Sequence, residues 1–347
     1  MLKLRHGVVR TVDPLVVEVD GAERRAWADT GLVGEFEPGD EVIVNVEAQD
    51  LGLGSGGFDL VHANLTRGLA GEGARGAHVM KLNYTSLQHA VEQVEAPEEA
   101  AAGGPRAPVL VIPLHGYLAP AAWAAGQRAP GVRVGYLQTP GGALPGSMSS
   151  DVAELRSRRL ITGHVTAGPA YGGEREAISV VGALDAAASV LGWDAVIAGP
   201  GPGILGSATR FGHGGMAALE TAHAALALGG PTLVAPRLSS GDPRPRHLGL
   251  SHHSRSVLEL LLAPVRVPVP EVDAELWPTA PEGPGAYDEL LDVCRDRHDL
   301  AVEPVDLEGY AATGLPSRTM GRDLADDELF FAAALAAGGA LARVTAG

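Results

Sequence analysis

The sequence predicts a mixed α/β protein: a mainly parallel, Rossmann-like sheet with helices on both faces, preceded by a small N-terminal β-barrel-like domain. Through residues 1–70, short β-branched runs are separated by turn signals, the pattern of a curled or closed sheet. From Val109 onward, near-continuous apolar strand candidates alternate with stretches of helical spacing, which is the pattern of a parallel sheet covered on both sides. The chain therefore divides into a β domain over 1–70, a connecting strand, helix and exposed loop over 71–108, and an α/β domain over 109–347.

In the first domain the runs Val8-Val9, 15–19 and 42–46 are punctuated by Asp13-Pro14, Asp20-Gly21 and Pro38-Gly39-Asp40, residues that favour turns. Next, 52–58 is glycine-rich and reads as a tight connection, since neither a strong strand nor a helix brackets it. Over 76–95 the spacing predicts a strand and then a helix, because Thr85 and Gln88 stand as a capping box ahead of Leu87, Ala90, Val91 and Val94. The stretch 95–108 is rich in Pro, Gly and Ala and reads as an exposed loop. Strands are then expected over 109–115, 132–138, 161–167, 195–200, 232–236 and 265–269, with helices over 150–159, 174–191, 215–228 and 252–262. A proline- and glycine-rich excursion at 278–285, a helix near 287–297, a strand near 302–307 and a C-terminal helix from about Asp326 complete the chain.

Composition narrows the function classes. The formal charge of −16 argues against nucleic acid as a partner, because phosphate neutralisation needs a basic face. Neither an apolar leader nor a run near the ~18 residues of a membrane span stands out, so a cytoplasmic protein without a membrane partner is expected. The single cysteine, Cys294, excludes an internal disulfide and multi-cysteine metal sites. A homo-oligomer is an expectation from frequency alone.

Against this acidic background, residues 237–256 hold Arg237, Arg244, Arg246 and Arg255, only Asp242 as an acid, and His247, His252 and His253. The segment follows a predicted strand, as do His115-Gly116-Tyr117, Thr139 to Gly142, 168–174 and 199–215. In parallel sheets, ligands bind beyond the carboxyl ends of the strands, so these loops belong to one rim. Arg210, Arg237, Arg244 and Arg246 are candidates to grip phosphate or carboxylate. Ser251, Glu174 and the loop glycines Gly141, Gly142, Gly201, Gly203 and Gly206 would line the same place. His115, His213, His247, His252 and His253 are candidate acids or bases, with Asp242 to orient a histidine or ligate a metal.

Three specific chemistries compete there. Gly201 to Gly206 matches G-x-G-x-x-G after a strand, but the next helix begins late and the following strand ends in Arg237 rather than an acid, which argues against a dinucleotide. Asp242, His213, Glu174, His247, His252 and His253 offer mixed N/O ligands, leaving a divalent metal open. Ser149 or Ser150 reads as a helix cap, and a nucleophilic serine served by His115, His164 and Asp242 is the alternative.

The strings G-G-A-L-P (141–145), A-Y-G-G-E-R-E-A (170–177), G-P-G-I-L-G-S-A-T-R-F-G (201–212), D-P-R-P-R-H-L-G-L-S-H-H (242–253), T-M-G-R (319–322) and M-K-L-N-Y-T-S-L-Q (80–88) resemble a bacterial family catalogued as domain of unknown function 3866, over nearly the whole chain. The resemblance implies that these loops act as a set. Pro140 and Pro169 stand where the family pattern has an acid and a histidine, so neither position is assigned to the site. Two functions remain in view: an enzyme, hydrolase or transferase, acting on a small anionic molecule, and a metabolite-binding or scaffold protein without turnover.

Overall fold

The computed structural model describes residues 1–53, 56–95, 106–207, 209–279 and 285–347. The loop expected at 95–108 therefore lies mostly outside the described residues, as do parts of 52–58 and 278–285. The chain forms two compact units, Met1–Glu92 and Gln93–Gly347.

In the first unit, β1 (Leu4–Val12), β2 (Leu15–Val19), β3 (Ala22–Trp27), β4 (Glu41–Asn45) and β5 (Asp59–Asn64) close into a barrel in the order β1-β2-β3-β5-β4. Antiparallel pairing of β1 with β4 seals it. Two short helices, α1 (Thr30–Val33) and α2 (Glu47–Asp50), lie in its connections. Val9, Val17, Val19, Val42 and Val44 fill the interior from alternate strand positions. Then β6 (Val79–Lys81) and β7 (His89–Val91) pair as an antiparallel hairpin, where the sequence predicted a helix. The capping-box residues make a turn instead: Thr85 Oγ1 donates to Leu82 O and accepts from Leu87 N, and Gln88 Oε1 accepts from Tyr84 N. Leu82 and Tyr84 take positive φ values of 50° and 62°, which no helix allows.

The second unit begins with β8 (Val109–Val111), α3 (Leu118–Arg128), β9 (Val134–Thr139), α4 (Ser150–Ser157), β10 (Gly163–Ala167), β11 (Arg175–Ala177) and α5 (Val180–Ser189). It continues through β12 (Ala195–Pro200), α6 (Ala217–Ala227), β13 (Thr232–Val234), the pair β14 (Leu238–Ser239) and β15 (Gly249–Leu250), α7 (His252–Leu260), β16 (Arg266–Glu271), α8 (Ala286–Cys294) and β17 (Asp299–Pro304). Helix α9 (Leu307–Ala311), the pair β18 (Arg318–Thr319) and β19 (Arg322–Asp323), and α10 (Glu328–Ala346) end the chain. The main sheet is parallel throughout, in the order β11-β10-β9-β12-β8-β13-β16-β17.

Strands β8, β9, β12 and β13 are buried along their whole length, because helices cover both faces. On one side α3 packs on α10; on the other α5, α6, α7 and α8 follow one another. Gly135 and Gly163 leave room for the Trp193 ring, since an added Cβ at Gly135 would fall 1.9 Å from it. Helix α10 is long and apolar enough to cross a membrane by length and composition, contrary to the expectation that no such run exists. However, 78% of its apolar span is buried inside the domain, with Gly338 allowing close approach to the backbone of Ala121.

The sheet order places the loops. From β9 the chain steps outward to β10 and β11, whereas from β12 it steps the other way to β13, β16 and β17. Neighbours β9 and β12 thus send their following loops in opposite directions, which opens the crevice where such sheets bind ligands.

Candidate functional site

Four histidines meet at this rim. His213 precedes the turn Gly214–Met216 that leads into α6. His247 ends the turn Pro245–His247, and His252 and His253 begin α7. The His213 and His253 rings stack at 3.6 Å between centroids, His252 lies 4.3 Å from His253 and 5.5 Å from His213, and His247 lies 4.9 Å from both His252 and His253. His213, His252 and His253 each offer a ligand atom, and these atoms lie within 4.8 Å of one another.

Hydrogen bonds fix part of the protonation pattern. His213 Nε2 donates to the Arg210 carbonyl at 3.1 Å, because a carbonyl can only accept, so the neutral ring has a bare Nδ1. That buried Nδ1 has no partner among the described residues, nor has His252 Nε2. His247 Nδ1 pairs with Ser251 Oγ at 2.8 Å, while Ser251 also caps α7 by accepting from His253 N. Burial lowers the pKa of all four rings, and nearby cations add to it. His247 is pushed down to about 3, with Arg237 and Arg244 contributing, and His253 to about 2, with the other histidines contributing. His213 and His252 move the same way, each also lowered by Arg246. The cluster is therefore neutral and rich in lone pairs near neutrality.

Arginines flank it. Asp242, 3% exposed, accepts from Arg244 Nε and an Arg244 terminal nitrogen at 2.9 and 2.7 Å, and from Arg237 at 3.0 Å. Arg322 reaches the same carboxylate at 3.4 Å and Asp327 at 3.0 Å. Burial alone would raise the Asp242 carboxyl, but Arg244 and Arg237 outweigh it and hold it far below the usual range. Asp242 thus orders arginines, and among the described residues none of its hydrogen bonds runs to a histidine. Around it, three guanidiniums face two carboxylates, leaving one positive charge in excess. Arg246, exposed on the same turn as His247, has no carboxylate partner among the described residues. Arg237 is 4% exposed, and its buried Nε has no partner among the described residues.

Other predicted residues lie elsewhere or do something else. Gly141, Gly142 and Gly201 pack backbone on backbone: a Cβ at Gly141 would fall 2.5 Å from Gly214 O, and one at Gly142 would fall 2.2 Å from Gly201 O. They lock the loops after β9 and β12 together. Gly203 and Gly206 belong to an exposed hairpin-like loop, closed by the bridge from Gly206 to His213 and by Ser207 N donating to Gly212 O. This loop, not a helix start, follows the G-x-G-x-x-G string. Arg210 pairs with Glu259 at 2.8 Å and lies over Phe211. Glu174 pairs with Arg156 on α4 and takes no part in the histidine cluster.

His115 builds a second polar centre. Its Nε2 meets Ser149 Oγ at 2.7 Å and its Nδ1 meets Tyr136 Oη at 3.2 Å, and Tyr136 donates to the Pro200 carbonyl at 3.0 Å. Ser149 also caps α4 through Val152 N at 3.1 Å. His164 stacks on Tyr136 and bonds Gln138 Oε1 at 3.2 Å. Burial keeps both histidines neutral, His164 at about 3.

The sequence reading overlooked Arg322, Asp327, Ser239 and Tyr136 as parts of these networks. Arg322 had a signal, in the T-M-G-R string. Asp327 accepts from Ser239 Oγ at 2.7 Å and Ser240 N at 2.8 Å, and only the fold brings these together.

The family described as "Protein of unknown function (DUF3866)" matches residues 25–338, and the chain belongs to it. No curated protein and no solved structure matches the chain.

Proposed function

We propose that this protein is an enzyme, a hydrolase or group transferase, that acts on a small anionic metabolite bearing phosphate or carboxylate at the carboxyl rim of its sheet. One observation carries the reading: four neutral histidines cluster beside arginines whose positive charge is not fully matched. Arg246 and Arg244 flank His247 on a single turn, and Arg246 faces no described carboxylate. The buried Nε of Arg237 is a donor without an acceptor among the described residues. Guanidiniums grip phosphate and carboxylate by paired N–H donors, and neutral imidazoles accept protons from a reacting group.

In this reading Arg244 and Arg246 hold the anion, Arg237 and Asp242 keep the arginine fork in place, and His247, steadied by Ser251, moves the proton once the bound anion offsets the arginines that lower its pKa. The protein works in the cytoplasm on a metabolite rather than on nucleic acid or membrane, in keeping with a net charge of −16.

The test is a thermal-shift screen with inorganic phosphate, sugar phosphates and small dicarboxylates, followed by turnover assays on whichever class stabilises the chain. The reading expects stabilisation that disappears in Arg246→Ala, and product formation. Stabilisation without turnover would make the protein a binder, and no stabilisation by any anion would overturn the site.

A further inference from the structure

The histidine cluster carries a more specific statement about the same rim. Buried nitrogen atoms are normally hydrogen-bonded, yet His213 Nδ1 and His252 Nε2 have no partner among the described residues. The bare Nδ1 of His213 is imposed, because its Nε2 is committed to the Arg210 carbonyl; such a backbone bond is the usual way a metal-binding histidine is held in one tautomer. Gly215 keeps the adjoining space empty. A Cβ there would lie 3.0 Å from His213 Nδ1 and 3.2 Å from His253 Nδ1, so both nitrogens look onto the bare α-carbon of residue 215.

We infer that His213, His252 and His253 form a three-nitrogen site for a divalent transition metal of the zinc class. An ion bound at about 2.0–2.1 Å from each nitrogen sets the nitrogens roughly 3.4 Å apart. The ligand atoms lie within 4.8 Å of one another, and the site closes when His213 and His253 turn out of their 3.6 Å stack to aim their lone pairs at one ion. Imidazole nitrogens select zinc, copper, nickel or iron over magnesium and calcium. Three protein ligands leave a coordination position for water or substrate, as in catalytic rather than structural sites. His247, tied to Ser251, stays outside the ligand set. The inference deepens the proposed function, and the two can fail separately.

The experiment uses the full chain, stripped with a chelator and titrated with Co2+ and then Zn2+. The expected result is one ion per chain, with the visible absorption bands of four-coordinate Co2+, displaced by Zn2+. His213→Ala should weaken binding roughly 100-fold or more, a loss at least as large as that from a supporting residue. Gly215→Ala keeps every ligand, and residue 215 is outside the left-handed region, so alanine strains no backbone there; its methyl group, pressed against His213 and His253, should cut affinity at least tenfold. His6→Ala, at an exposed histidine of the barrel, should bind as the parent does. Absence of one-to-one uptake by the parent, or equal uptake by the parent, His213→Ala and Gly215→Ala, would overturn the inference. Adding inorganic phosphate separates the two readings. Bands that form but do not respond to phosphate would leave the metal site standing without the anion site.

Discussion

Arg237 donates to Asp242 Oδ2 at 3.0 Å, with the two side chains 5% and 0% exposed. A buried pair of this kind is costly to break, because removing one partner leaves the other charge unmatched in a medium that solvates it poorly. Asp242 is also the only carboxylate that Arg244 contacts among the described residues. Asp242→Asn should therefore destabilise the protein by about 3–5 kcal/mol, measured by urea unfolding at pH 7. A loss below ~1 kcal/mol would mean that solvent, rather than Asp242, neutralises these arginines.

Arg244 and Arg246 look equivalent in the sequence but differ in the fold. Arg244 holds Asp242 through two side-chain bonds, whereas Arg246 is exposed without a described acid. Arg244→Ala should cost about 1–3 kcal/mol through lost charge-assisted bonds. Arg246→Ala should change stability by less than ~0.5 kcal/mol and yet remove most of the stabilisation by phosphate. Unfolding curves with and without phosphate separate the two; an Arg246→Ala chain that still responds fully to phosphate would count against its role.

One share of the pH dependence of stability belongs to His164, 3% exposed and stacked on Tyr136 at 5.2 Å, beside the other histidines lowered by burial. Burial pushes its pKa down to about 3, with His115 and Arg156 adding to the shift, whereas an unfolded histidine titrates near 6.5. Between those values the unfolded chain holds a proton that the folded chain refuses. Stability is therefore complete above about pH 6.5 and falls as pH drops toward 3, by up to about 1.4 kcal/mol per pH unit for this group. His164→Phe keeps an aromatic ring beside Tyr136 without a titrating nitrogen and should reduce the slope between pH 6.5 and 4 by up to about 1.4 kcal/mol per pH unit, the other histidines keeping the remainder. An unchanged slope would assign the acid lability to other groups.

How far these features were legible depends on range along the chain. Much of the alternation of strands and helices from β8 to β17 could be read because strands such as β8 and β12 are unbroken apolar runs, a local property. Strand order could not be read, since the insertion of β12 between β9 and β8 leaves no mark in any single segment. Helix α3 escaped notice because, buried against α10, it lacks a polar face and carries Pro120 and Gly126. Strand β11 was absorbed into a helical pattern over 174–191. Rim loops were legible from the parallel-sheet rule. Their pairings were not, because His213 meets His252 and Asp242 meets Arg322 only after the sheet has closed the intervening chain. The glycines of 201–206 fit a phosphate-loop pattern in sequence, but loop–loop packing and an exposed hairpin account for them in the fold.

Ser149 offers the sharpest test against a competing chemistry. Its hydroxyl lies 2.7 Å from His115 Nε2, the relation of a nucleophile to its base. The same oxygen accepts from Val152 N at 3.1 Å as the cap of α4, and Ser149 is 6% exposed. The third member of the network is Tyr136, itself bonded to the Pro200 carbonyl; Asp151 favours a charged His115 only through space, and among the described residues no carboxylate bonds its ring as a triad requires. If Ser149 is a cap, Ser149→Ala should cost about 1–2 kcal/mol, and Ser149→Thr should restore most of it because threonine also caps. Turnover of any anion identified on the histidine and arginine side should then survive Ser149→Ala within about threefold, whereas loss of an acyl-transfer nucleophile costs several orders of magnitude. Abolished turnover in a folded Ser149→Ala chain would move the reacting centre from His213, His252 and His253 to His115.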